Sequence, residues 1–105
     1  MGRLVYRESF RADVAAQLEY LVRRGEPTWI VATLDDLGAA EEFLGRFPHA
    51  GREVARDGDT IVRVLRLRRA PFVVWYAVQM RRRDAVVTML RFFHERQRRP
   101  GSLAP

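Results

Sequence analysis

The chain is 105 residues long, 48% hydrophobic and 30% charged, with a formal net charge of +6 and no cysteine. That length suits one domain with room for a core, and the missing cysteines remove disulfide frameworks and thiolate metal sites. The charged start MGRLVYRESF lacks a signal-type apolar run, and no apolar stretch approaches the roughly 20 residues of a membrane helix, so a soluble cytoplasmic protein with no membrane role is expected.

Every one of the 19 basic residues is arginine. A GC-rich coding sequence gives that bias, and so does selection for forked donors that grip phosphate or carboxylate. Residues 1–60 hold 8 Arg against 11 acids (−3), and residues 61–105 hold 11 Arg against 2 acids (+9), which together give the +6. A cationic second half points to an acidic protein partner or a nucleic acid.

In chain order, residues 4–7 (LVYR) read as a short strand. Ser9 is a candidate N-cap for a helix over 10–24, with Phe10, Val14, Leu18 and Leu21 on one face and Gly25 just past its end. Pro27 then opens a second helix to about residue 47, with Ile30, Leu34, Leu37, Leu44 and Phe47 at helical spacing and Glu41 interrupting the pattern. Gly38 costs about 1 kcal/mol inside that helix unless a close helix crossing uses its missing side chain. The acids Asp35, Asp36, Glu41 and Glu42 read as a solvated face.

Pro48 stops the helix, and Gly51, with freedom for a positive φ, opens a polar loop through Asp57-Gly58-Asp59. Residues 61–69 alternate as a half-solvated strand that turns basic at Arg66, Arg68 and Arg69. Residues 71–80 (PFVVWYAVQM) read as a central strand covered on both faces, and residues 85–93 as a third strand ending at His94. Short links make these an antiparallel meander, so the fold class is α+β, in the order β-α-α-β-β-β, with a helical hairpin packed on a small antiparallel sheet. One domain is expected over 1–98, with a disordered tail over 99–105.

Successive meander turns fall at opposite ends of a sheet. Arg66, Arg68, Arg69, Arg91, Arg96 and Arg98 are therefore expected to gather at one end with His94, as a contact surface for an acidic segment or a nucleic acid. Arg81, Arg82 and Arg83 form a separate turn, read as solvated charge. No carboxylate spacing demands a metal, and no cofactor is expected.

The order of elements and three motifs, FPHAGR (47–52), PFVVWYAV (71–78) and LRFFHERQ (90–97), resemble the ParE/RelE toxin superfamily, and more closely its ParE branch, over roughly residues 3–98. The resemblance implies a type II toxin-antitoxin module whose toxin is neutralised by an antitoxin segment wrapped around it. ParE toxins inhibit DNA gyrase, whereas RelE toxins cut messenger RNA on the ribosome. RelE-type ribonucleases also carry an Arg in the second meander strand, where this chain has Phe72-Val73-Val74-Trp75. His94 alone could titrate near neutral pH at that end, and Arg66 could bind phosphate but not act as a base. The expectation is thus a non-catalytic gyrase inhibitor. A ribosome-dependent endoribonuclease using His94 and Arg66, or a member without toxicity, are the alternatives.

Overall fold

The computed structural model describes residues 2–97; Arg98 and the tail expected over 99–105 lie outside them. The elements are β1 (Gly2–Tyr6), α1 (Glu8–Arg23), α2 (Pro27–Arg46), β2 (Arg52–Asp57), β3 (Thr60–Arg66), β4 (Phe72–Met80) and β5 (Ala85–His94). They form one five-stranded sheet in the order β1-β5-β4-β3-β2. The α+β class and the helical hairpin on a sheet are as expected, with two differences. The sheet is mixed, because β1 runs parallel to β5, and β2 lies where a loop was expected.

Strand β2 escapes a search for apolar alternation because it is an edge strand. Its sequence REVARD is mostly exposed, and it pairs with β3 through its backbone, interrupted by a bulge between Glu53 and Ala55. Charged side chains on an edge also discourage pairing with other chains. Gly58, at φ 60°, makes the tight link to β3.

Gly51 has an ordinary φ, and the expected positive φ is absent. What it supplies is space: a Cβ there would lie 2.7 Å from both the Tyr76 hydroxyl and the Val64 carbonyl oxygen. The Gly51 N–H donates to Tyr76 Oη at 2.8 Å, and Arg63 Nη1 donates to the Gly51 carbonyl at 2.7 Å. This close approach ties the FPHAGR segment to the middle of the sheet.

Strand β4 lies at the centre, and its Phe72, Val74, Tyr76 and Val78 enter the core beneath the helices with Phe10, Leu44, Val87 and Phe92. Each side chain of that size gains about 1.5–3 kcal/mol on burial. Trp75 alternates to the opposite face and is also buried. Between Trp75 and Tyr76 the register with β5 shifts, leaving Leu90 without an opposite residue. The Leu90 carbonyl accepts instead from Ser9 Oγ at 2.8 Å. Ser9 therefore fastens α1 to β5 and is not the cap, which falls at Arg7 without a side-chain bond.

Helix α2 is rotated relative to the stripe read from its sequence. It buries Thr33, Asp36, Leu37, Ala40 and Leu44 and leaves Leu34 and Phe47 exposed. Gly38 has nothing within 4 Å of an added Cβ, so no close crossing uses it. The interrupting Glu41 accepts a hydrogen bond from the Tyr6 hydroxyl. Burial, reinforced by Glu41, pushes the Tyr6 phenol up to about 12. No described helix is long and apolar enough to cross a membrane.

Candidate functional site

Strands β3 and β5 flank β4, and the β3–β4 turn brings Arg66 to the end of the sheet where β5 finishes. Arg66 Nε donates to Glu95 Oε2 at 2.7 Å. That bond holds the Glu95 carboxyl below its ordinary range and raises the Arg66 guanidinium. Both side chains are solvent-accessible, so the pair adds little stability. The structure therefore brings Arg66, His94 and Arg96 into one neighbourhood, with Glu95 between them.

Two other expected contact residues, Arg69 and Arg91, are committed to the fold. Arg69 donates through its backbone N–H and Nε to Asp36 at 2.6 and 3.0 Å, and Ala70 N–H reaches the same carboxylate at 2.7 Å. Asp36 is not on a solvated face; it is buried at 4% exposure. Burial drives its pKa up, but the Ala70 and Arg69 backbone donors and the Arg69 guanidinium outweigh that and hold it below the ordinary value. Arg91 grips Asp13 through Nε and Nη2 at 2.7 and 3.1 Å, and the same carboxylate accepts Phe92 N–H at 3.0 Å. Hydrogen bonding to Asp13 raises the Arg91 guanidinium.

Arg68 and Arg96 have no ion-pair partner among the described residues. Of the predicted patch, these are the cations open to an outside ligand, and Arg98 lies outside the described residues. Sequence reasoning missed Asp13 and Asp36. The signal was the charge split itself: carboxylates of the acidic half neutralise arginines of the basic half inside the molecule.

His94 Nδ1 accepts from the Arg96 N–H at 3.1 Å, and the His94 N–H donates to Gln97 Oε1 at 2.6 Å. A neutral ring whose Nδ1 accepts in this way has its N–H on Nε2. The ring packs edge-on against Phe72, with centroids 5.5 Å apart. His94 also lines a cleft of about 310 Å³ with Gln17, Tyr20, Leu21, Arg24, Glu26, Trp29, Pro71 and Phe72. Tyr20 and Trp29 are 47% and 41% exposed there.

A second groove, of about 340 Å³, runs between α2 and the end of β3, lined by Asp36, Ala39, Ala40, Phe43, Leu65, Arg66, Leu67 and Arg68. At the far end of the sheet, Arg81, Arg82, Arg83 and Asp84 form the β4–β5 turn, closed by Arg81 N–H to the Asp84 carbonyl at 2.7 Å. The β2–β3 turn, with Asp57 and Asp59, lies at the same end of the sheet. Among the described residues no three His, Asp or Glu side chains cluster to hold a metal ion.

Comparison with known proteins gives the same fold. A solved structure described as "Chromosomal ParDE TA system from P. aeruginosa" is similar at 22% identity over 90% of this chain and 96% of that chain, with a TM-score of 0.63. No curated protein sequence matches the chain. The family model described as "ParE toxin of type II toxin-antitoxin system, parDE" matches residues 4–99. A match that spans the helical hairpin and the whole meander means that this chain belongs to the ParE toxin family of type II toxin-antitoxin systems.

Proposed function

We propose that the chain arrests growth by binding DNA gyrase in the cytoplasm, without catalysing a reaction of its own, and that its cognate antitoxin neutralises it. The observation that supports binding over RNA cleavage is the state of His94. Its Nδ1 is bonded to the Arg96 N–H, so the ring offers Nε2 as a donor where a ribonuclease needs a base. Arg66 and Arg91, which could stabilise a phosphorane, face Glu95 and Asp13. The centre of β4 offers Val73, Val74 and Trp75 and no cation.

Expression of the chain without its antitoxin tests this reading. Growth arrest with broken chromosomal DNA, intact messages, and full toxicity of a His94→Ala variant is the expected result. Arrest with intact DNA and messages cut at ribosomal A sites, abolished by His94→Ala, would establish the ribonuclease instead. Normal growth at high expression would mean a member that has kept the fold and lost the toxicity.

A further inference from the structure

The turn between β4 and β5 carries Arg81, Arg82 and Arg83, and none of them has an ion-pair partner among the described residues. Arg81 N–H donates to the Asp84 carbonyl at 2.7 Å and Asp84 N–H donates back at 3.2 Å, so Arg82 and Arg83 stand at the tip of a tight hairpin. Arg81 Nη2 donates to a neutral acceptor, Gln79 Oε1, at 3.1 Å. That bond draws the guanidinium towards the face of the sheet away from the helices, where Gln79 alternates with Trp75. A fourth cation arrives from β1. Arg3 pairs with Val86, which on its other side pairs with Gln79, so the three share that face. Arg3 is exposed and likewise has no ion-pair partner among the described residues. With strands about 4.8 Å apart, it stands about 10 Å from Gln79 across β5.

This end of the sheet differs from the end at His94. There Asp13, Asp36 and Glu95 answer Arg91, Arg69 and Arg66. Here Asp57 and Asp59 lie on the β3 side of β4, and Arg3 lies on the β1 side. The positive charge therefore collects over β1, β5 and the turn. A concavity of about 520 Å³ at the turn is lined by Arg81, Arg82, Arg83 and Asp84. A protein partner needs apolar and aromatic surface at the centre of its contact. The apolar side chain next to the turn, Met80, lies against His49, whose Nε2 is 3.4 Å from its Sδ. Forked guanidiniums on a rigid tip suit phosphate oxygens instead.

We propose that Arg3, Arg81, Arg82 and Arg83 form a contact for the phosphate backbone of duplex DNA, independent of base sequence, at the end of the sheet opposite His94. The distance from Arg3 to Gln79 spans about three phosphates of one strand, which follow one another at roughly 3.4 Å along the helix axis. Contacts of this kind position a protein on DNA without reading it. The phosphate contact rests on the geometry, and the choice of duplex DNA rests on the gyrase reading. A chain that binds gyrase would thereby also hold the DNA on which gyrase acts.

The test is fluorescence anisotropy of a labelled duplex of mixed sequence, titrated with the purified chain from about 50 to 200 mM salt with no gyrase present. The logarithm of the affinity should fall against the logarithm of salt with a slope of about −3, at about 0.9 for each phosphate neutralised. Arg82→Gln with Arg83→Gln should reduce that slope by about 2 and weaken binding about tenfold or more at low salt, while lysine at both positions keeps most of it. Arg11→Gln with Arg23→Gln removes the same charge from α1 and should leave the slope unchanged. All four side chains are exposed, so these variants keep the fold. Binding that the turn variant does not weaken, or that the α1 variant weakens equally, overturns the proposal. Tighter binding of a single-stranded RNA or of polyglutamate than of the duplex overturns it too, because the turn would then serve RNA or an acidic protein. Gyrase inhibition by a chain that does not bind the duplex would remove this contact and leave the gyrase reading standing.

Discussion

Replacing Asp36 by alanine removes, at a buried position, the acceptor of two backbone N–H groups and of the solvent-exposed Arg69 guanidinium. Its Oδ2 is 2.6 and 2.7 Å from the N–H groups of Arg69 and Ala70, and Ala70 is fully buried. An orphaned buried donor costs about 1–3 kcal/mol, and hydrogen bonds to a charged group contribute at the upper part of the range. Asp36→Ala should therefore lose about 2–4 kcal/mol, less than a fully buried ion pair because Arg69 stays solvated. Asp36→Asn keeps one acceptor oxygen and should lose less. In urea melts at pH 7 the midpoint should fall with little change in slope. The pH dependence carries a sign. The folded carboxyl lies below its unfolded value of about 3.9, so its contribution is complete above that value and disappears as pH falls through the depressed folded pKa. Below about pH 4 the wild type should lose stability, and Asp36→Asn should lack that part of the loss. A variant within about 1 kcal/mol of wild type at pH 7, or one with the same acid profile, refutes this reasoning.

Other substitutions read different joints of the fold. Gly51→Ala forces a methyl group against Tyr76 Oη and the Val64 carbonyl and should cost about 2–3 kcal/mol in a chemical melt. Tyr76→Phe leaves the Gly51 N–H without its partner and should cost about 1–3 kcal/mol. In a spectrophotometric titration the Tyr6 phenol should ionise at about 12. Glu41→Gln should bring that value down only partway, because burial is the larger cause.

The sequence pattern was legible where one face of an element is buried and the other wet. Both helices, the three apolar strands and the separation of the two arginine turns follow from such periodicity, and the motifs FPHAGR, PFVVWYAV and LRFFHERQ led to the correct family. Strand β2 was illegible because an exposed edge needs no apolar face. The buried face of α2 was misread because Asp36 and Thr33 sit on it, each satisfied by bonds that propensity does not show. Partners distant in sequence explain the rest: Asp13 and Arg91 are 78 positions apart and Asp36 and Arg69 are 33 apart. Spacing along the chain gives no hint that the apparent contact surface is partly an internal lock.

Purified gyrase with ATP and plasmid, treated with this protein alone, tests the central claim most directly. Lost supercoiling or accumulating linear DNA is the result that binding without catalysis predicts, unchanged by His94→Ala. Full supercoiling by an active gyrase at a large excess of the protein would contradict it.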